Sequence, residues 1–443
     1  MSSNTNTQTT TSDIFEPTTL SALKHIQLDE TINQIDYSIQ SIIDLIIHHP
    51  LFQKLESTWI GISQQLACIH NSPMVKLHLL QLNKTELEQM ASINQPLEKS
   101  RLYHVVYSKE FNTPGGQPYS LLIADYYFSN SNSDINCLDF LSRVGNAALC
   151  PILGAAAPSL FNLDRWDSIH RYDTLLHIPQ LPSHLRWSAL RQQPSAKFIF
   201  LTAPAYLGRR AYTRNTNSFH YSHQETINDA NNYCWVNSAY AQSQCIINAY
   251  LKYGWCTAIR GKENGGTIYN LPLTHSLKAT QTLLSDSQEH ELSQLGIIPL
   301  CHYKNSTYAV IFASESVFLA PQYDTAEATQ NAKISARLPY IIATSRFAHY
   351  LKIIARDKIG SFLEKDDLEI WLNRWISQYV NSNARSKSLL KARFPLADAA
   401  ITLSEDTQHP GHYQAIIHMK PWLLLEELSA SLRLVTQLPK EKN

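Results

Sequence analysis

From Pro339 to Phe362 no further proline and one glycine, Gly360, interrupt a helical pattern. Proline suits the first turn of a helix, where its missing N–H would be unpaired anyway, and the stretch corresponds to roughly 36 Å of helix. Its apolar residues fall on two faces: Ile341, Ala348 and Ala355 on one, Tyr340, Phe347, Leu351 and Ile354 on the other. A helix that is apolar on two sides is covered on both, so the segment predicts a buried rod around which other elements pack. Arg346, Lys352, Arg356 and Asp357 lie within it. An ionised group needs a partner or a route to water. Two readings follow: structural ion pairs made by Arg346, Arg356 and Asp357, for which a subunit interface can supply the partner, or a narrow solvent-facing stripe. His349 reads as packed rather than reactive.

A chain of 443 residues with 44% hydrophobic content has room for two or three packed units and a large core. Its 37 Lys and Arg balance its 37 Asp and Glu, so no net field argues for nucleic acid, and a near-neutral protein is prone to associate. The seven cysteines form no CxxC pair and are odd in number, which disfavours a zinc ribbon, a redox motif or a disulfide framework. No apolar signal region follows the start, and no apolar run approaches about 18 residues. The expectation is a soluble, cytoplasmic protein without membrane insertion.

After Met1 the residues up to Asp13 are all Ser, Thr, Asn, Gln or Asp, a composition that cannot offset chain entropy. Residues 1–30 therefore read as a disordered polar tail, with TLSALKHIQLDE as a possible short helix. Ile35, Ile39, Ile42, Ile43, Ile46 and Ile47 then repeat at helical spacing; beyond Pro50, so do Phe52, Leu55, Trp59, Ile62 and Leu66. Val75, Leu77 and Leu79 alternate as in a strand. PILGAAAP and KFIFLTAP read as buried strands separated by helices, and IIPLCHYKNSTYAVIFA as a hairpin turning near Lys304 and Asn305. The fold class is mixed α/β (α+β), with a body over 31–320 and a C-terminal domain over 321–443 that holds the long helix.

That last domain changes character beyond Tyr379. Ala397, Ala399, Ile401 and Leu403 alternate with Asp398, Thr402 and Ser404; after a QHPGH turn, Tyr413, Ala415, Ile417 and Met419 alternate in turn; Leu432 and Leu434 begin a third run. Three short strands make a small antiparallel sheet whose edges stay open unless another chain pairs with them. Ile401, Leu403, Ile417, Met419, Leu432 and Leu434 mark these strands as the candidate partner-binding elements.

Chemistry is harder to find. GKENGGT lacks the Lys and hydroxyl residue that a phosphate loop places after its glycines, and His48 and His49 are adjacent, so they point apart on a helix. One of them can cap the helix before Pro50. Cys256 with His275, or Cys301 with His302, are conceivable nucleophile and base pairs, but cysteine is among the most buried residue types. No catalytic residue, cofactor or metal site is expected. The rival to a structural subunit is an α/β enzyme using such a Cys/His pair or an Arg/Asp cluster.

HHPLFQKLESTWIGI, VVYSKEFNTPGGQPYSLLIADY, NAYLKYGWCTAIRG, SARLPYIIATSRFAHYLKIIARDKIGSF, WLNRWISQYV and LEELSASLRLVTQLP, in that order, resemble the large subunit of the type VI secretion contractile sheath, the TssC/VipB-like family. The resemblance runs from about Thr31 to Pro439. It implies a multi-domain contractile-sheath fold with long central helices and a C-terminal sheet shared with partner strands. It also implies a cytoplasmic helical lattice of copies of this chain with a small sheath subunit, wound around an inner-tube protein on a baseplate and contracting to drive the tube. Family members commonly carry a longer N-terminal extension gripped by an AAA+ unfoldase. Here only about thirty residues precede the first expected helix, which argues against recycling by that route.

Overall fold

The computed structural model describes residues 17–70, 72–92, 96–113, 115–213, 223–274, 276, 278–358, 365–383, 388–405, 413–422 and 432–438. Within these, the side chains of 17–26, 355–358, 365, 388, 405, 413–414 and 432–438 lie outside the described set. The expected polar tail up to residue 16 is outside it as well. The chain forms two compact units, one of Met1–Lys54 with Ala211–Tyr233 and one of Leu55–Arg210 with Cys234–Asn443. Positions 320 and 321 fall in the same unit.

The smaller unit is built on α1 (Pro17–Ile47) and the start of α2 (Pro50–Ile69). No Gly or Pro occurs between Pro17 and Pro50, and neither helix breaker is needed to explain why α1 starts earlier than the isoleucine repeat suggested. The TLSALKHIQLDE segment is thus the first part of one long helix. Residues 211–213 and 223–233 are tied to the end of α1 and the start of α2 by polar contacts. His48 Nε2 lies 3.1 Å from Glu225 Oε1, whose side chain is fully buried, and Glu225 Oε2 accepts from the Tyr212 N–H at 3.0 Å. His223 Nε2 stands 3.0 Å from Asp44 Oδ1, and Gln53 donates to the Asn231 carbonyl at 3.1 Å. His48 therefore serves as a side-chain tie.

The larger unit is organised by a six-stranded sheet of order β1-β2-β3-β7-β8-β6, where β1 is Leu122–Phe128, β2 Ile152–Ala156, β3 Ile199–Ala203, β6 Thr267–Ile268, β7 Ile297–His302 and β8 Ala309–Ile311. The first four strands run parallel; β8 is antiparallel to β7 and β6. Strands β2 and β3 are buried along their whole length, the state that lets a parallel strand be a continuous apolar run. Successive side chains point to opposite faces. Ile152, Ile199, Leu201 and Ile297 enter the cluster that contains α3 (Asn132–Ala148); Leu153, Phe200, Ile298 and Leu300 enter the one that contains α4 (Ser238–Tyr253).

Helix ends follow local chemistry. Ser131 accepts from the Asp134 N–H at the start of α3, and Asn237 accepts from the Ala239 N–H at the start of α4. Gly254 ends α4 at φ 77°. The GKENGGT loop returns the chain tightly into β6: Gly265 has φ +84°, and a Cβ on Gly266 would lie 2.5 Å from the Gly261 nitrogen. The hairpin turns as expected, with Asn305 at φ 58° between β7 and β8. The alternation at Val75, Leu77 and Leu79 does not make a strand. That stretch carries no regular secondary structure, and Leu79 is exposed, because alternation in sequence does not by itself supply a partner strand.

The rod is present as α5, Leu338–Lys358, followed by α6, Lys365–Ser377. Tyr340, Phe347 and Leu351 are buried on one side of α5, Ile341 and Ala348 on the other. Strands β9 (Leu396–Glu405), β10 (Tyr413–Pro421) and β11 (Leu432–Leu438) form a separate antiparallel sheet of order β11-β10-β9. Two-residue strands β4 (Tyr206–Leu207) and β5 (Trp235–Val236) pair with each other.

Candidate assembly interface

The C-terminal sheet packs one face on α5 and α6. Ile401, Leu403, Ile417 and Met419 are buried in a cluster with Phe347, Leu351, Leu372 and Ile376. At about 1.5–3 kcal/mol for each fully buried aliphatic side chain, these contacts hold the sheet to the rod. The side chains of four residues expected at a partner contact are thus spent inside this chain, and what their strands can offer a partner is backbone. Leu432 and Leu434 lie opposite Met419 and Ile417 in the β10/β11 register; their side chains are outside the described set.

Register and hydrogen bonds identify which backbone groups face outward. Ile401 pairs with Ile417 across β9 and β10, yet its N–H donates to Asn373 Oδ1 at 2.9 Å and its carbonyl accepts from Asn373 Nδ2 at 2.7 Å. Ile401 therefore turns its polar groups away from β10, and by the alternation of an antiparallel ladder so does Leu403. The Leu403 N–H donates to Glu369 Oε2 at 2.8 Å. At the start of β9, the Leu396 carbonyl accepts from the Asn381 N–H at 2.8 Å, and its N–H donates to the Tyr379 carbonyl at 3.2 Å. Carrying the alternation across β10 places the N–H and C=O of Leu432, Leu434 and Thr436 toward β10. Those of Arg433, Val435 and Gln437 point off the far edge of β11, the other terminal strand of the sheet.

The rod's charged residues have specific surroundings. Arg346 stacks its guanidinium 4.4 Å from the Tyr250 ring, 5.1 Å from Trp255 and 5.5 Å from Tyr350, and donates to the Tyr250 hydroxyl at 3.0 Å and the Tyr350 hydroxyl at 2.9 Å. Burial opposes its charge, but these tyrosines outweigh that and hold the guanidinium above its usual range. Its partners are rings and hydroxyls, where a carboxylate was the expected kind. Arg356 and Asp357 fall in α5, with side chains outside the described set. Lys352 lies over Phe111 at 4.9 Å and Tyr107 at 5.4 Å. His349 is buried, and its Nε2 donates to the Ala148 carbonyl at 2.9 Å; burial pulls its pKa down to about 4, so the ring is neutral and structural.

A second surface lies on the smaller unit. Leu28, Ile32, Ile35, Ile39, Ile42 and Ile46 of α1 step by four and three in turn, and all six are between 37% and 57% exposed. Such steps form a heptad seam, the pattern by which one helix packs along another. Asp29 and Asp36 follow the seam residues Leu28 and Ile35, putting negative charge on its flank. The isoleucine repeat was legible as an amphipathic helix; its exposure was not.

The pairs that motivated an enzymatic reading are not activated. Burial pushes the Cys256 and Cys301 thiols up to about 12, opposite to the shift a nucleophilic thiolate needs. His302 Nε2 donates to the Ser306 carbonyl at 2.8 Å. His275 lies outside the described residues. Among those described, no group of three His, Cys, Asp or Glu is placed to hold a metal ion, and no helix is long and apolar enough to cross a membrane.

Residues 29–318 match the family model described as the EvpB/VC_A0108 tail sheath N-terminal domain, and residues 327–438 match the tail sheath gpW/gp25-like domain of the same proteins. The chain belongs to the VipB family of tail sheath proteins. It is also similar to the type VI secretion system sheath protein TssC1 of Pseudomonas aeruginosa (strain PAO1), at 35% identity over 431 residues, covering 94% of this chain and 86% of that protein. As a VipB-family chain it is a structural subunit of the type VI sheath, with a mixed helix and sheet fold ending in a small antiparallel sheet. The second matched region of this VipB-family chain, 327–438, contains the rod, α6 and all three C-terminal strands.

Proposed function

We propose that this chain is the large subunit of a cytoplasmic contractile sheath. It co-assembles there with a small sheath subunit and further copies of itself around an inner-tube protein, on a baseplate, and contraction of the lattice drives the tube. The observation that carries the reading is the edge of β11. Three alternate residues, Arg433, Val435 and Gln437, offer backbone donors and acceptors to an added strand, on a sheet fixed by one face to a buried rod. Each net hydrogen bond contributes about 0.5–1.5 kcal/mol, and an interface repeated head to tail without closing extends into a helical polymer. Strands passed between protomers keep such a lattice connected while rigid bodies turn against one another.

The seam of α1 supplies a second, hydrophobic contact. Its occupant in this reading is a helix of the small sheath subunit with a basic residue beside its own apolar seam, to match Asp29. Burying charge in that seam is expected to separate the subunits. With Ile35→Asp and Ile39→Asp combined, co-expression with the small subunit should give at least a tenfold loss of co-purified partner, equivalent to about 1.4 kcal/mol or more. Helicity by circular dichroism should remain unchanged. Full recovery of partner by the double variant would contradict the contact.

A further inference from the structure

The two edges of the C-terminal sheet differ in a way that strand lending alone does not require. Glu369 and Asn373 are four residues apart in α6 and therefore share a face of that helix. Their side chains reach the outer edge of β9. Asn373 gives Ile401 one acceptor and one donor, at 2.9 and 2.7 Å, as a neighbouring strand would. That demand fixes the orientation of its amide, since only the oxygen can accept from the Ile401 N–H and only the nitrogen can donate to the carbonyl. Glu369 takes the next outward N–H, that of Leu403, at 2.8 Å. Leu372 and Ile376, buried on α6 beside them, anchor the helix on the sheet.

Open edges are templates for unwanted pairing, and proteins close them with charge, bulges or a covering helix. We propose that Glu369 and Asn373 form an edge guard: they occupy β9 in place of a strand, so that a strand lent by a neighbouring sheath protomer adds at β11 alone. The guard thereby sets the direction in which protomers are linked. This rests on the strand-lending reading above and specifies which edge of the sheet it uses.

Neither residue stood out in the sequence. A Glu and an Asn next to a buried helix stripe look like an ordinary solvated flank, and only the β9 register gives them a task.

Hydrogen–deuterium exchange on the full chain, free and co-assembled with the small sheath subunit, reads both edges by mass spectrometry of short overlapping peptides. In the free chain the Ile401 and Leu403 amides should already be protected, and assembly should leave them unchanged while slowing the Arg433, Val435 and Gln437 amides at least tenfold. Asn373→Ala with Glu369→Ala should raise exchange at Ile401 and Leu403 at least tenfold in the free chain. Glu369→Gln, which keeps an acceptor, should raise it less at Leu403. If the Ile401 and Leu403 amides of the wild-type chain exchange freely until assembly and are protected only then, β9 is the receiving edge and the guard is overturned. If assembly proceeds with exchange unchanged at both edges, strand lending itself fails, and the guard with it.

Discussion

Replacing Val435 by proline is expected to abolish sheath fibres while leaving the isolated chain folded. The Val435 N–H points off β11, away from β10, so its loss breaks no bond of the existing ladder. Proline is tolerated on an edge strand for that reason, and it blocks a further strand for the same one. The variant should retain the thermal transition of the parent to within about 1 kcal/mol, the ordinary range for surface substitutions plus modest backbone strain. Val435→Thr, which keeps the N–H, should form fibres normally with the small subunit. Fibres of normal length from the proline variant, seen by negative-stain electron microscopy, would rule out the β11 edge as the point of attachment.

Replacing Phe347 by alanine should have the largest effect on stability. Its ring is fully buried, stacks on Trp255 at 4.6 Å between centroids, and meets Tyr379 at 5.5 Å and Trp375 at 6.2 Å edge to face. It also packs in the cluster that holds Ile401, Ile417 and Met419. A large-to-small change at such a site costs about 3–5 kcal/mol, to which lost aromatic pairing adds about 0.5–1.5 kcal/mol. Denaturant titration should show that loss, with early protease cleavage in the C-terminal sheet. Phe347→Leu should cost less, since most of the volume remains. A midpoint within experimental error of the parent for Phe347→Ala would mean that the sheet is held by something other than the rod.

The elements that sequence made legible are those whose own period is complete. The rod announced itself because apolar residues on two faces require burial from both sides, and Tyr340, Ile341, Phe347, Ala348 and Leu351 are buried accordingly. The strands β9 and β10 were readable from strict alternation, and Ile401, Leu403, Ile417 and Met419 turn to one face as that alternation demands. Yet alternation says which way side chains point and nothing about what covers them, so residues read as a partner contact lie in the chain's own core. At Val75, Leu77 and Leu79 the same period yields no strand.

What remained hidden depends on contacts between distant parts of the chain. The rings around Arg346 come partly from Tyr250 and Trp255, nearly a hundred residues earlier, so a charge in a buried helix suggested a carboxylate when tyrosines and a tryptophan serve it. Asn373 and Glu369 reach main-chain atoms about thirty residues on, and no side-chain pattern encodes that. The exposure of the α1 seam is likewise a tertiary fact: its spacing is visible in Leu28, Ile32 and Ile35, but a seam can face a core as easily as solvent.

The most direct measurement is a cryo-electron microscopy reconstruction of this chain co-expressed with its small sheath partner, at a resolution that traces strands. A tubular polymer in which a strand from a neighbouring protomer lies against Arg433–Gln437 of β11, with Asn373 still bonded to Ile401, is the expected result. A three-stranded sheet with both edges as they are in the single chain, in a polymer or in a monomer, would contradict it.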